Sequence, residues 1–362
     1  MIKGTPLATV VLAAAVLVSG CSSTAGTKQA PVVEATAAKA VAAPEKGEME
    51  AADICENLSF PSQAASAPPA IKPPSESVRV LAFGDFGDGG PGQEEVAKAM
   101  ATYHGKPGQR FDFGITLGDN FYDMGLRTAT DPRWATNWED RYGKLGIRLY
   151  ASLGNHDYYD PASPIAEALY SQHSKSWCLP ASYYTYTAGP VQFFVLDTDW
   201  IMREWKKDTP ADKQKDPVKL QREWLEAKLK ASKSIWKVVY GHHPAYSTGG
   251  HEDNRPIIDQ ILPVLKGQAD VYIAGHDHDM QYLKPEGGVH FFISGAGGHD
   301  LRDLKGKRDL RIWGKQKTPG FSVLEANAGS LTVKFLNTKN AQLCSVKLIK
   351  GKAEEVDCPN TD

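Results

Sequence analysis

Apolar runs that end in Gly-Asp, Gly-Asn or Gly-His recur along the chain, and they limit its possible folds more strongly than its composition does. Five segments have this form: VRVLAFGD, FDFGITLGD, LYASLGNHD, WKVVYGHH and VYIAGHDH. Each run has the length and composition of a buried strand, and helical patterns separate several of them. Ligands of α/β proteins bind just beyond the carboxyl ends of strands. The polar side chains that follow these runs are therefore expected to share one site.

Alternation of strands and helices, followed by a strand-rich end, predicts an α/β protein with more than one sheet. Asp-Pro pairs at 131–132 and 216–217 predict two helix starts. In the second helix, Leu220, Trp224 and Ala227 are expected to form the apolar face, opposite solvated lysines. Two strands are expected to pair through the Gly-Pro turn at 189–190.

Residues 1–20 predict a secretory signal. Lys3 precedes an apolar run that is too short to span a bilayer, and small residues lead up to Cys21. The segment LVSGC resembles a bacterial lipobox, so Cys21 is expected to be acylated; the alternative is an ordinary cleaved signal with an incidental cysteine. Ser22 resembles the residue found in lipoproteins sorted to an outer membrane. We expect an exported protein, periplasmic or on the cell surface, with a lipid anchor in the outer membrane.

The rest of the chain divides by composition into three parts. Residues 21–77 are rich in Ala, Pro, Ser, Glu and Lys, and they predict a disordered tether because they carry too little apolar surface to offset their ordering entropy. Residues 78–350 form the predicted folded domain, and residues 351–362 are a C-terminal tail. The 41 basic and 43 acidic side chains nearly balance, which gives no electrostatic reason to expect a nucleic-acid partner.

Four cysteines follow Cys21, and an exported location permits disulfides. Four cysteines allow three pairings. A bridge between Cys344 and Cys358 across a C-terminal hairpin is favoured, and it leaves Cys55 to pair with Cys178. None of these cysteines is expected to be catalytic.

Seven side chains near the strand ends have the chemistry of metal ligands. The carboxylates, amide and imidazoles among them form a mixed oxygen and nitrogen set that suits hard and borderline transition metals. The set has too few oxygens for a calcium cage and no thiolate for structural zinc. On an extended segment, residues two apart face the same side, so the two histidines of GHDH can each reach one of two adjacent metals. The candidates are Asp85, Asp119, Tyr122, Asn155, His242, His276 and His278.

The order D-x-G, G-D-x-x-Y, G-N-H-D, V-x-x-H and G-H-x-H resembles the metallophosphoesterase superfamily. Its tyrosine makes the chain similar to the purple acid phosphatases, in particular to their short, tartrate-resistant acid phosphatase-like form. The similarity includes GDNFYDMG, SLGNHDYY and VVYGHHPAYS and covers roughly residues 78–340, with no room for the extra β-domain of the large plant enzymes. It implies a four-layer α/β/β/α sandwich of two mixed sheets, with the active site at the carboxyl ends of strands.

The resemblance also implies the cofactors, which are Fe(III) and a divalent Fe, Zn or Mn ion. A phenolate is a hard, strongly donating anion, so Tyr122 favours trivalent iron; the alternative is that Tyr122 is a core aromatic residue beside Phe121. By resemblance, the Fe(III) ligands are Asp85, Tyr122 and His278, the bridging ligand is Asp119, and the divalent-metal ligands are Asn155, His242 and His276.

The implied activity is that of a metal-dependent phosphoric monoester hydrolase, an acid phosphatase in which a metal-bound hydroxide attacks phosphorus in line. His156 is expected to protonate the leaving oxygen, as in the family. His251, nine residues after His242, is the second catalytic candidate. The expected substrates are small phosphomonoesters, and the protein is expected to be a monomer that scavenges phosphate outside the cell.

Two other functions remain open. One is a related dinuclear phosphodiesterase or nucleotidase with Mn or Zn at both positions, against which Tyr122 argues. The other is a surface lipoprotein that binds phosphate or metal without turnover, against which the complete set of ligand types argues.

The remaining polar residues have less definite predicted roles. His243 either supports the ligands or is structural, and Asp88 is read as a polar loop residue. His299 lies near the expected site without an assigned role. The histidines expected to be structural or on the surface are His104, His173 and His290.

Overall fold

The computed structural model describes residues 76–205, 217–306 and 308–359. Three features predicted from the sequence therefore lie outside the described residues: the secretory signal, the acylated Cys21 and almost all of the tether. Within the described residues, no helix is long and apolar enough to cross a membrane.

Strands and short helices alternate through the first two thirds of the described chain. The strands are β1 (Val78–Phe83), β2 (Phe113–Leu117), β3 (Leu149–Ser152), β4 (Trp177–Cys178), β5 (Tyr184–Ala188), β6 (Val191–Val195), β7 (Trp236–Tyr240), β8 (Val271–Ala274), β9 (Met280–Glu286), β10 (Val289–Ser294), β11 (Arg311–Lys315), β12 (Gly320–Ala326), β13 (Leu331–Asn337), β14 (Gln342–Leu348) and β15 (Glu355–Asp357). The α-helices are α1 (Pro91–His104), α2 (Asp140–Tyr142), α3 (Ser163–Tyr170), α4 (Thr198–Trp205), α5 (Pro217–Ala231), α6 (Arg255–Gln260) and α7 (Leu262–Leu265).

Several helical turns are not α-helical. A π-helical stretch begins the segment that follows the Asp-Pro pair at 131–132, and a 3-10 turn ends it. These turns are the π-helix Trp134–Glu139 and the 3-10 helices Gly143–Leu145, His156–Tyr158 and Arg308–Leu310.

The strands form two mixed sheets, as predicted. The eight-stranded sheet has the order β15-β14-β13-β12-β1-β2-β3-β4, with β1 to β4 parallel and β12 to β15 antiparallel. The seven-stranded sheet has the order β11-β9-β10-β8-β7-β6-β5, with β6, β7, β8 and β10 parallel. Its β5 and β6 form the predicted hairpin through the turn at 189–190.

The main core lies between the two sheets. Phe113 of β2 contacts Phe193 of β6 with ring centroids 5.5 Å apart, and Trp313 of β11 stacks on Phe335 of β13 at 5.0 Å. Helices cover the outer faces: a second apolar cluster joins the smaller sheet to helices α4 to α7, and α1 packs on the larger sheet. The predicted α/β/β/α layering is confirmed.

The apolar face predicted for α5 is wrong. Leu220 is 41% exposed, whereas Val218, Gln221 and Leu225 are buried. A glutamine lies on the buried face because its side-chain amide exchanges two hydrogen bonds with the backbone of Asp197, at 2.8 and 2.9 Å. These bonds satisfy the buried amide and fix which side of the helix faces the sheet.

The end of the chain adds an edge strand to the larger sheet. β15 pairs with β14 through Val346 and Val356, so the part of the predicted tail that the structure describes continues the folded domain. The predicted disulfide between Cys344 and Cys358 is present next to this pairing. Cys178 is also disulfide-bonded. Its pairing with Cys55 stays a prediction, because Cys55 lies outside the described residues.

Candidate metal centre

Strand ends from both sheets meet at one edge of the sandwich. Asp85, Asp119 and Asn155 follow β1, β2 and β3 of the larger sheet, while His242 and His276 follow β7 and β8 of the smaller sheet. The backbone N–H of His276 donates to Asp85 Oδ2 at 2.9 Å, which ties the two sheets together at this edge. The structure thus brings together side chains that are far apart in the sequence.

The turns after these strands adopt an unusual backbone conformation. Asp85, Asp119 and His276 have φ values of 60°, 51° and 71°, in the left-handed region that residues other than glycine seldom adopt. Gly118 has a φ of 84°, and a Cβ atom there would lie 2.6 Å from Nδ1 of His242. The glycine before Asp119 is therefore needed for the close approach of β7. Such local strain is typical of functional sites.

A first cluster forms around the phenol oxygen of Tyr122. This oxygen lies 2.8 Å from Asp119 Oδ2 and 3.4 Å from Asp85 Oδ1. Nε2 of His278 is 3.4 Å from the same oxygen. The other ring nitrogen of His278 donates to the carbonyl oxygen of Asp300 at 2.9 Å, so Nε2 is the nitrogen available to a metal.

A second cluster forms around Nε2 of His242. It lies 3.1 Å from Asn155 Oδ1, 3.1 Å from His276 Nδ1 and 3.4 Å from Asp119 Oδ1. Nδ1 of His242 donates to the carbonyl oxygen of Leu117 at 2.8 Å, which fixes the ring with Nε2 facing the cluster. His276 faces the same point with Nδ1.

Asp119 belongs to both clusters. Its Oδ2 contacts Tyr122 and its Oδ1 contacts His242. A carboxylate in this position has the geometry to bridge two adjacent metal ions. The donor set also fits such ions, because it combines carboxylate, phenol and amide oxygens with imidazole nitrogens.

The buried charges of the centre favour a bound cation. Burial raises the pKa of Asp85 well above its usual value, and burial together with the carboxylates of Asp119 and Asp85 raises the pKa of Tyr122. Burial alone would lower the pKa of His242, but the Asp119 carboxylate raises it to about 10. The pKa of Asp119 is lowered because His242 outweighs its burial. A bound cation would compensate the negative charge that these buried side chains bring together.

The pKa values of the two histidines of GHDH are lowered, which suits neutral metal ligands. Burial lowers the pKa of His276 well below its usual value, and nearby imidazoles lower it further. Burial and the Arg302 guanidinium lower the pKa of His278 to about 4. Metal ions bind the unprotonated ring, so these two imidazoles would lose no proton if they coordinated a metal ion near neutral pH.

Asp157, the last residue of the GNHD motif, holds together the loops after β2 and β3, two of the three loops of the larger sheet that carry candidate ligands. Its buried carboxylate accepts backbone hydrogen bonds from Gly154 at 2.8 Å, Asn120 at 2.9 Å and Phe121 at 3.1 Å. Asp157 is absent from the predicted site residues, although its place directly after His156 is a signal that it supports the site.

His156 lies above the first cluster. Its ring centroid is 4.4 Å from that of Tyr122, and its backbone N–H donates to Asp119 Oδ1 at 3.0 Å. Its Nδ1 donates to the carbonyl oxygen of Asp123 at 2.7 Å. The ring is therefore held in place beside the candidate metal ligands.

His251 lies beside the second cluster. Its ring stacks on that of His276 with centroids 4.1 Å apart. Its Nε2 lies 2.5 Å from Nη1 of Arg302, which donates to it because an arginine cannot accept a hydrogen bond. Burial and the Arg302 charge lower the pKa of His251, although the Asp277 carboxylate opposes them.

His243 and His299 occupy different sides of the centre. The ring of His243 is buried behind that of His276, at 4.4 Å, and its Nδ1 lies 2.9 Å from Thr198 Oγ1. His299 stacks on Tyr122, and its Nδ1 forms a 3.0 Å hydrogen bond with Asp88 Oδ2. No role for His299 follows from the sequence, and Asp88, predicted to be a polar loop residue, is the partner of its ring.

The other three histidines take no part in the centre. His104 accepts a hydrogen bond from the Phe111 backbone at 3.0 Å, His290 lies 2.9 Å from the hydroxyl of Tyr282, and His173 is exposed. Of the residues near the centre, Arg302 had no recognisable sequence signal, because it lies in an irregular loop rather than at a strand end.

Comparison with known proteins identifies the family. The family model described as calcineurin-like phosphoesterase matches residues 78–280. The mouse protein tartrate-resistant acid phosphatase type 5 is 30% identical over 303 residues, which are 76% of this chain and 91% of the mouse protein. Purple acid phosphatase 7 of Arabidopsis thaliana is 32% identical over 244 residues, which are 63% of this chain and 73% of the plant protein.

A solved structure supports the same fold. GAP50, the anchor in the inner membrane complex of Plasmodium, has a TM-score of 0.66 at 24% identity and covers 76% of this chain and 90% of its own. At that identity the likeness concerns the fold alone. Together with the family match, these findings show that the chain belongs to the calcineurin-like phosphoesterases, with tartrate-resistant and purple acid phosphatases as relatives at about 30% identity.

Proposed function

We propose that the chain is an acid phosphatase that hydrolyses phosphate monoesters at a dinuclear centre of Fe(III) and a divalent Fe, Zn or Mn ion. Its family and relatives make it a metal-dependent phosphoric monoester hydrolase; the proposal adds the metals and the residues. The observation that carries it is the phenol oxygen of Tyr122, which lies within 3.4 Å of Asp85, Asp119 and His278 atoms.

The proposed ligands follow the two clusters. A phenolate favours a trivalent ion, so the cluster around Tyr122 is assigned to Fe(III) and the cluster around His242 to the divalent ion. The two oxygens of Asp119, which face different clusters, support its assignment as the bridge. The full assignment is Asp85, Tyr122 and His278 for Fe(III), Asn155, His242 and His276 for the divalent ion, and Asp119 for both.

When bound, the two ions would supply an acidified water as nucleophile and positive charge for the phosphate. The protein itself must then give a proton to the leaving oxygen. His156 is the proposed donor, because Asp123 holds its Nδ1–H and leaves Nε2 to carry the proton that is transferred. His251 stays a second candidate, although its Nε2 accepts a hydrogen bond from Arg302.

The visible absorption spectrum is the first test of the metal assignment. The protein is purified from an oxidising compartment, treated with mild peroxide and compared with Tyr122→Phe. We expect a broad purple band from an Fe(III)-bound phenolate, and we expect Tyr122→Phe to weaken or shift it. A colourless but active protein would contradict the iron assignment and favour a Mn or Zn phosphodiesterase or nucleotidase.

Hydrolysis of a phosphate monoester at acidic pH is the second test. We expect a chelator to abolish it, and we expect Asp119→Ala and Asn155→Ala to reduce it by orders of magnitude. The matched control is Asp259→Ala, which removes an exposed carboxylate on α6 and is expected to keep full activity. Activity that survives both ligand substitutions would overturn the proposed centre.

We also propose that the protein is exported and anchored through acylated Cys21, and that it scavenges phosphate from organic monoesters. The support comes from the sequence, since these residues lie outside the described structure. We expect the wild-type protein to fractionate with membranes and Cys21→Ser to be released in soluble form. A wild-type protein found only in the soluble fraction would contradict the anchor.

A further inference from the structure

Arg302 lies at the edge of the candidate metal centre, in the loop that follows β10. Its backbone N–H donates to the carbonyl oxygen of His278 at 3.1 Å. Its Nη1 is 2.5 Å from Nε2 of His251, whose ring stacks on His276 at 4.1 Å. The guanidinium is therefore separated from a proposed ligand of the divalent ion by a single imidazole.

The charge of Arg302 is only partly compensated. Asp300 Oδ2 contacts Nε at 3.2 Å, and its side chain is 64% exposed, so water screens this pair. Arg302 itself is 34% exposed, and within the described residues its side chain makes hydrogen bonds through Nε and Nη1 but not through Nη2. Arg133, by contrast, directs both Nε and Nη2 at the carboxylate of Asp131. Arg302 keeps terminal N–H groups that can bind another anion.

We propose that Arg302 determines substrate specificity by binding a second anionic group, such as a carboxylate, carried by the leaving group of the phosphate ester. The inference rests on the proposed phosphatase function and adds a substrate class to it. A guanidinium presents a planar fork of donors that matches a carboxylate. His251 accepts a hydrogen bond from the guanidinium at Nε2 and so orients it. The ring that accepts this bond is uncharged, so it leaves the positive charge of Arg302 uncompensated.

The test compares two esters that differ in one carboxylate, glycerol 3-phosphate and 3-phosphoglycerate. We expect the wild-type protein to prefer 3-phosphoglycerate in kcat/KM by about tenfold, the usual effect of one hydrogen bond between charged groups. We expect Arg302→Gln to bring this ratio close to one and Arg302→Lys to restore part of it. The control is Arg148→Gln. Arg148 directly precedes β3, at the end of that strand opposite the candidate metal centre, and we expect its substitution to keep the wild-type ratio.

A binding measurement tests the same contact without turnover. Calorimetry compares propylphosphonate with 3-phosphonopropionate, in which a carboxylate replaces the methyl group. We expect the carboxylate to tighten binding to the wild-type protein by about tenfold and to give no advantage with Arg302→Gln. The metal content of each variant is measured alongside, so that a lost ligand is not mistaken for a lost anion contact.

The outcomes separate this inference from the function on which it rests. If the wild-type protein hydrolyses both esters but the ratio is the same in Arg302→Gln, the anion contact is overturned and the phosphatase function stands. If the metal-loaded wild-type protein hydrolyses neither ester, the phosphatase function fails and the inference fails with it.

Discussion

The imidazole of His299 stacks on the phenol ring of Tyr122, with centroids 3.7 Å apart and planes inclined by 24°. Asp88 holds the imidazole through a 3.0 Å contact between Oδ2 and Nδ1, and the backbone N–H of His299 donates to the carbonyl oxygen of Asp85 at 3.1 Å. One face of the Tyr122 ring, the proposed iron ligand, is thus covered by the imidazole of His299, which is itself held by two hydrogen bonds.

We expect His299→Ala to move the visible band of the iron-loaded protein to shorter wavelength. Removal of the ring would let water reach the phenolate oxygen of Tyr122, and a hydrogen bond from water lowers the energy of the donor orbital. The absorption spectrum measures the shift. His299→Phe is the matched control, because it keeps an aromatic ring on Tyr122 and is expected to keep the band near its wild-type position. An identical spectrum in all three proteins would contradict the prediction.

Asp157→Ala should destabilise the protein and weaken metal binding together. The substitution would leave the backbone N–H groups of Gly154, Asn120 and Phe121 buried without an acceptor, at roughly 1–3 kcal/mol each. We expect the free energy of unfolding of the metal-free protein to fall by about 3 kcal/mol or more. Denaturant unfolding measures it, with Asp259→Ala as the exposed control. A loss below about 1 kcal/mol would show that the loops do not depend on this carboxylate.

Asp197 should contribute more to stability in acid than at neutral pH. Burial raises its pKa to about 8, so the native carboxyl group keeps a proton that the unfolded chain loses near pH 4. Its contribution is full below about pH 4 and is lost as the pH rises to about 8, at no more than about 1.4 kcal/mol per pH unit.

Asp197→Asn, which cannot ionise, isolates this effect. We expect the free energy of unfolding of the wild-type protein, minus that of the variant, to fall between pH 4 and pH 8. Denaturant unfolding at intervals across this range measures the difference. A difference that stays constant with pH would mean that the carboxyl group of Asp197 titrates normally.

Loss of the disulfide between Cys344 and Cys358 should lower stability without affecting catalysis. The bridge closes a loop with a sequence separation of 14, for which chain entropy gives about 3 kcal/mol. Cys344 lies in β14 and Cys358 directly follows the edge strand β15. The bridge is therefore at one edge of the larger sheet, three strands or more away from β1. We expect the double variant Cys344→Ser, Cys358→Ser to lose about this free energy of unfolding and to keep its kcat. A large fall in kcat would reveal a connection between this edge and the metal centre.

The layering, and the meeting of the candidate side chains at one edge of the sandwich, could be predicted because their signals are local in the sequence. Gly118 and Asp119 stand next to each other because the same tight turn needs the glycine for its backbone conformation and directs the buried Asp119 carboxylate at the candidate centre. The strands that lead to the candidate centre are buried and therefore apolar. Each apolar run in the sequence thus indicates that the polar side chain after it lies at the carboxyl end of a strand.

Other features depend on contacts between distant segments and could not be predicted in this way. Gln221 faces inward because of the backbone of Asp197, so the polarity of the residue misled the prediction of the α5 face. Val356 belongs to a short strand with exposed acidic neighbours, and pairing with β14 decides its conformation. Arg302 and His299 lie in an irregular loop, where no periodicity shows which side chains point at the centre.

The proposed ligands divide by element between the two sheets. The oxygen donors Asp85, Asp119, Tyr122 and Asn155 come from the loops after β1, β2 and β3, and the nitrogen donors His242, His276 and His278 come from those after β7 and β8. A folding intermediate with only one sheet formed would offer either hard oxygen donors or imidazoles, but never the mixture. The protein would then discriminate between iron and competing cations only after the two sheets have packed against each other. Retention of the metals would indicate that this packing is complete.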